Sequence, residues 1–420
     1  MKKVLMVALL VLSTINANAQ NISTIAGTGV RGYSGDGGLA TRAKITAPGD
    51  VSVYNGNVYF SDPYTFKIRK ITRSGIVTTI AGNGSSVSSG DGGPATNAGM
   101  SNIYTLTVDA KGSLVVADDN VVRKIDTFGI ITTIAGNAPG STLGDGGAAT
   151  NAQFNTINGL CFDNTGNLFI SDCGHHRIRK VDTFGIITTI AGTGVFGSSG
   201  DGGPATNGEL MSPCGLCADQ NGNIYVADLS DIKIRKVSTD GIITTLAGTG
   251  TFGTSGNGGP ATGAEFETPV YLAYNARNGD ISVSDGGNAE IRTIHLSGVI
   301  TAFVGTGVSG YGGDGGPATD ARINAVRGIA YDEAGDFYIC DVENDRVRKV
   351  VHDPTAVPVL PQESAEEGTI IVYDLRGAVV WVENKNHYLD ENLPNGAYIY
   401  TLVGTKSGRV LVRKQITIIK

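Results

Sequence analysis

One eight-residue segment recurs six times along this chain of 420 residues. Its fullest form is G-I-I-T-T-I-A-G, and its last glycine falls at Gly27, Gly82, Gly136, Gly192, Gly248 and Gly305. The spacings are 55, 54, 56, 56 and 57 residues, so a whole structural unit is repeated. Eight residues beyond each copy comes G-D-G-G, with Asp36, Asp91, Asp145, Asp201 and Asp314; Asn257 takes the fifth place. A small residue followed by Asp closes another segment at Asp62, Asp118, Asp172, Asp228, Asp285 and Asp341. An Ile/Val-Arg pattern follows at Arg69, Arg123, Arg179, Arg235, Arg292 and Arg348.

Within one repeat the runs read as strands. In the third, residues 159–162, 167–171, 176–181 and 186–191 are β-branched or aromatic runs separated by Asp, Asn and Gly turns. Four antiparallel strands per unit and six units predict an all-β, six-bladed β-propeller over residues 20–352. After Val350 the sixth unit lacks its fourth strand, and that strand is present at the other end, as residues 22–27. Pairing it into the last blade closes the ring and leaves no open edge. Helix is nearly absent; the sequence predicts one turn at Pro-Ala-Thr after each G-D-G-G, with Pro at its first position.

Composition agrees with this and excludes other classes. Gly is 61 of 420 residues, about twice the average share, while 40% apolar content is too high for a disordered chain. The one long apolar run is at the N-terminus. Lys2 and Lys3, an apolar centre over residues 4–12 and Ala17-Asn18-Ala19 form a signal peptide over residues 1–19, cleaved after Ala19. Losing Lys2 and Lys3 takes the net charge from −7 to −9, which argues against nucleic acid and anionic membranes as partners. No transmembrane span is expected after cleavage.

The repeat resembles the NHL family. The matching residues are Asp163, Gly166, Asn167, Leu168, Phe169, Ile170, Ser171 and Asp172, then His176, Arg177, Ile178, Arg179 and Lys180, and the pattern returns in every unit. The resemblance implies the propeller fold. It leaves activity open, because NHL propellers include enzymes, receptor sensor domains and protein-binding modules.

Strand direction puts the long fourth-to-first connections and the second-to-third turns on one face. Function is expected there, since loops vary on a rigid scaffold. That face is expected to carry every G-D-G-G loop. Two readings fit the aspartates. They form a ligand-binding set (Asp36, Asp91, Asp145, Asp201, Asp314), or each bonds backbone N–H groups of its own turn. The fixed offset favours the second. One Asp per isolated loop supplies too few oxygens for calcium. Tyr33, Phe196, Phe252 and Tyr311 lie in the same connections, able to stack on sugars or anchor a protein, or simply to cover blade ends. Ion pairs between the Asp62-type and Arg69-type residues are expected to be structural.

Cys173 and Cys214 fall near one face in adjacent units, and both a disulfide and its absence fit. Cys217 aligns with Cys161 and reads as core. The Asp172–His176 stretch lacks a second ligand pair, so no metal is expected. No cofactor or catalytic residue is expected either, because a catalytic site needs distinct residues in distinct roles and the carboxylates and arginines here come as copies. None of the five histidines lies on an inner strand.

From His352 the repeat stops. Residues 353–361 contain three prolines and read as a linker. Residues 362–420 read as a small β-sandwich-like domain with strands at 369–374, 378–382, 397–403 and 410–419. Residues 372–377 (V-Y-D-L-R-G), 393–398 (L-P-N-G-A-Y) and 414–420 (K-Q-I-T-I-I-K) resemble the C-terminal sorting domain (type A) of the type IX secretion system of Bacteroidota. That resemblance implies the secretion machinery as partner and a secreted or surface-attached protein. The expected function is noncatalytic binding of an extracellular protein or glycan. The alternatives are a hydrolase or lyase working in the central channel and a structural surface-layer component. Unrepeated polar residues at the channel mouth would favour the enzyme; six-fold equivalent ones would favour binding.

Overall fold

Each β-branched run pairs with its neighbour in sequence, because short turns leave no room for any other partner. The computed structural model describes residues 20–136 and 143–352, and the strands Gly368–Asp374, Val379–Glu383, Gly396–Gly404 and Val410–Ile418. The signal peptide, the linker, loop residues 137–142 and the turns of the sorting motifs lie outside the described residues.

Residues 21–352 form six four-stranded antiparallel sheets. Blade one is typical: Val51–Tyr54, Asn57–Asp62, Lys67–Ile71 and Val77–Ala81, from the axis outwards. In blade six the outer strand is Ile22–Ala26, paired with Arg346–Val350 through Ile22↔Val350 and Thr24↔Arg348. The closure read from the repeat arithmetic is the one observed. Inner strands touch in cyclic order, the last meeting the first. The core lies between blades, where Tyr271 and Val304 of blade five meet Ile329 and Val350 of blade six. Fully burying such an Ile or Val contributes about 1.5–3 kcal/mol, and no blade has that partner alone.

Two sets of 3-10 turns punctuate the ring. One follows each G-D-G-G, as at Ala95–Asn97. Pro94 stands outside it, extended at φ −59° and ψ 128°, rather than at its first position. It is held there by a bridge to Ile130. The other set follows the Asp62-type residues in five blades, as at Pro63–Thr65 and Cys173–His175.

Residues 353–420 group separately. Their strands form one antiparallel sheet in which Gly368–Asp374 pairs with both Val379–Glu383 and Gly396–Gly404, and Val410–Ile418 pairs with the latter. The sandwich-like packing expected of this part lies outside the described residues.

Candidate functional site at the channel mouth

The G-D-G-G segments lie elsewhere than on the long-loop face. Each leaves the top of one blade and zips onto the free edge of the next blade's outermost strand. Gly37 N–H donates to the Val77 carbonyl, Val77 N–H to that of Gly38 and Ala40 N–H to that of Gly75. Bridges Leu39↔Ile76, Pro94↔Ile130, Ala148↔Ile186, Pro204↔Ile242, Pro260↔Val299 and Asn21↔Pro317 repeat this in all six blades. Glycines at positive φ, such as Gly35 (92°) and Gly37 (82°), let the chain turn there. The segment thus covers an edge that would otherwise offer unpaired N–H and C=O groups.

The aspartates serve this arrangement, through residues far from their own turns. One oxygen accepts from the buried arginine: Arg69–Asp36 2.6 Å, Arg123–Asp91 2.7 Å, Arg179–Asp145 2.8 Å, Arg235–Asp201 2.6 Å and Arg348–Asp314 2.6 Å. The other accepts from the outer strand: from the N–H of Thr79, Thr133, Thr245 and Thr24, and from the Thr189 hydroxyl on Asp145. Burial opposes ionisation of Asp36, Asp91, Asp201 and Asp314. The threonine and arginine bonds outweigh it and hold these carboxyls below the usual value. In blade five Arg292 Nε donates to Asn257 instead, and Glu290 supplies negative charge beside the guanidinium.

The six arginines are at most 1% exposed. Of the expected pairs with Asp62-type residues, four form: Arg123–Asp118 at 2.8 Å, Arg179–Asp172 and Arg348–Asp341 at 3.3 Å, and Arg235–Asp228 at 3.6 Å. Arg69 and Arg292 make no such pair with Asp62 and Asp285 within 4.0 Å.

The four aromatics are spread around the ring. Tyr33 donates to Asp36 at 2.8 Å, with Lys67 over its ring. Tyr311 donates to Asp314 at 2.9 Å under Arg346. Phe196 meets His176 edge-on at 5.3 Å. Phe252 is 73% exposed and bridges towards Phe266 through its backbone. The structure does not bring the nine residues together. His175 Nδ1 lies 3.0 Å from Asp172.

A different set does converge. Where the six inner strands begin, the mouth of the channel is ringed by Gly49, Tyr104, Asn158, Cys214, Val270 and Arg327, six different residues at equivalent positions. One step deeper are Asp50, Thr105, Gly159, Gly215, Tyr271 and Gly328. The glycines are needed because a Cβ on Gly215 would lie 2.6 Å from the Tyr271 Cα, and one on Gly328 would collide with the Asp50 backbone.

Tyr271 of blade five crosses the axis, and its hydroxyl donates to the Tyr104 carbonyl of blade two at 2.8 Å. Alongside this crossbar runs a cavity of about 310 Å³, lined by all six inner strands. The exposed Arg327 guanidinium lies 5.5 Å from the centre of the Tyr104 ring and meets no acidic partner within 4.0 Å among the described residues. Asp50 is buried. Its Oδ1 accepts from Val51 N–H, and its Oδ2 from the Thr105 hydroxyl and Leu106 N–H. Desolvation prevails over these bonds and pushes its carboxyl up to about 7.

Two residues before the mouth position, five blades hold a non-glycine residue in the left-handed region: Ala47 (46°), Asn102 (45°), Thr156 (60°), Ser212 (60°) and Ala325 (51°). Side chains enforce this: Ala47 N–H donates to Asp345 Oδ1 at 2.9 Å and Thr156 N–H to Asn120 Oδ1 at 2.8 Å. Such strain is held where a surface must be presented in one shape. Among the described residues no group of three or more His, Cys, Asp or Glu side chains is placed to hold a metal.

Comparison with known proteins fits this architecture. The NHL repeat model matches residues 154–181, and that of the teneurin NHL domain matches residues 196–255. Teneurin-1 of Gallus gallus is 30% identical over 252 residues, which is 52% of this chain but 9% of teneurin-1. A Bacteroides thetaiotaomicron protein of unknown function superposes with a TM-score of 0.59 at 19% identity, covering 78% of this chain and 75% of that one. An auxiliary nutrient binding protein from Bacteroides ovatus gives 0.57 at 15% identity, covering 79% and 76%. The chain therefore carries a six-bladed β-propeller, with a match to the NHL repeat in its third unit.

Proposed function

We propose that this is an exported, noncatalytic binding module that takes an extracellular glycan, or else a protein, at the channel mouth on its long-loop face. The observation that carries the proposal is that Asp50, the carboxyl beside the mouth residues, already has both oxygens bonded by Val51, Thr105 and Leu106. The mouth residues, whose lack of repetition taken alone favours an enzyme, thus offer a ligand contacts without a free acid or base. Repetition is what stability requires; its interruption at one concave spot is what a ligand requires. Arg327 offers a charge with no acidic partner among the described residues, Asn158 an amide, and Tyr104 aromatic surface. The crossbar lets a ligand seat on the mouth without threading the ring.

Export rests on the signal-like residues 1–19, and sorting on the resemblance of residues 362–420 to type IX substrates. The Bacteroides ovatus propeller described as an auxiliary nutrient binding protein lends the binding role by analogy of fold. A second reading, a hydrolase or lyase in the channel, is favoured by Asp50, a buried carboxyl titrating near neutrality beside unrepeated polar residues. It requires a substrate to displace bonds that already occupy both Asp50 oxygens.

The test is a thermal-shift screen of the full chain against neutral and acidic polysaccharides, calcium and EDTA. One glycan class should raise the melting temperature; at a hundred times its dissociation constant it adds about 2.7 kcal/mol. Release of new reducing ends would support the enzyme instead. No shift with any glycan would move the ligand to a protein.

A further inference from the structure

Five cysteines sit in the propeller, and four of them, Cys161, Cys214, Cys217 and Cys340, are buried. Cys173 is partly open to solvent. It begins the 3-10 turn Cys173–His175 at the top of blade three, where its N–H donates to the Thr156 carbonyl at 2.9 Å. Cys214 is the mouth residue of blade four, on the inner strand Pro213–Ala218. The inner strands of these blades come so close that a Cβ on Gly159 would strike the Cys214 carbonyl oxygen. The two free thiols lie against each other across the blade boundary. Asn158 Nδ2 donates to Cys214 Sγ at 3.6 Å.

We propose that Cys173 and Cys214 form a reversible disulfide site that staples blades three and four at the channel mouth, made by exchange with a small-molecule disulfide. The two thiols have unequal roles. Cys173 is partly open to solvent, where an external disulfide can reach it, so it is the attacking group. Cys214 is buried behind it and is the resolving group.

Cys173 loses its proton and attacks one sulfur of an external disulfide. That S–S bond breaks, the first thiolate leaves and is protonated, and a mixed disulfide remains on Cys173. Cys214 then gives its proton to solvent and attacks Cys173 Sγ, expelling the second thiolate. Two protein thiols are oxidised by two electrons, and the external disulfide is reduced to two thiols. The inference is independent of which ligand the mouth binds.

The probe is oxidised glutathione with the full chain, read by mass spectrometry of a non-reducing digest and by alkylation of the native protein. Wild type should yield a peptide linking Cys173 to Cys214, with loss of Cys173 alkylation that dithiothreitol restores. Cys214→Ser should instead trap a persistent glutathione adduct on Cys173, and Cys173→Ser should give neither product. A stable adduct on wild-type Cys173, or no reaction at either thiol, would overturn the proposal. Because the first readout uses the unaltered chain, misfolding of a variant cannot excuse a negative result.

Discussion

The Arg235 guanidinium lies 2.6 Å from the Asp201 carboxylate, and the two residues reach each other from opposite layers of blade four. Arg235 comes from the third strand and is wholly buried; Asp201 comes from the segment that clips the outer edge of the same blade. The pair is the rivet between strand and clip, and it recurs wherever G-D-G-G does.

Arg235→Ala should therefore cost about 3–5 kcal/mol, since it leaves Asp228 buried without its cation. Asp201→Asn should cost about 1 kcal/mol, because Asp201 is half exposed and screened and Asn257 already serves in blade five. Urea denaturation of both variants checks the order. Equal costs would show that the rivet is not organised around the arginine.

Removing residues 21–27 should lower the melting temperature sharply. It deletes the fully buried Ile22, bares the edge of Arg346–Val350 and frees Gly315 and Gly316 from their bonds to Ile22. An unchanged melt would mean that closure contributes nothing.

Asp50 sets a pH dependence with a definite sign. Its folded carboxyl titrates at about 7, raised from 3.8, so the folded state holds a proton that the unfolded state has released. The stability it contributes is full below the unfolded value and declines by roughly 1.4 kcal/mol per pH unit up to the folded one, then levels off. Asp50→Asn should remove this share of the slope between about pH 4 and pH 7, leaving the shares of Asp62, Asp228 and Asp341, whose buried carboxyls are also raised. A slope unchanged in the variant would place the titration elsewhere.

The blades were legible because a strand repeated six times announces itself in residue spacing, and the closing strand because one unit lacks what the other end supplies. The rivet was not. Asp201 and Arg235 belong to different segments of the repeat, and the clip function appears only when the chain is seen lying along the outer edge of Ile243–Ala247. The mouth was missed for the opposite reason. Searching for what recurs passes over Tyr104, Asn158 and Arg327, whose signal is that their column does not recur. Tyr271 could not be linked to Tyr104 without knowing that blades two and five face each other across the axis.

On the proposed function the ligand binds at the mouth, and the G-D-G-G aspartates are structural. The most direct test measures, by calorimetry, binding of the glycan found in the screen to wild type, Arg327→Ala and Asp201→Asn, at a temperature where all three are folded. Arg327→Ala should lose most of the affinity while Asp201→Asn keeps it. Affinity kept by Arg327→Ala and lost by Asp201→Asn would contradict the account and return the site to the rim.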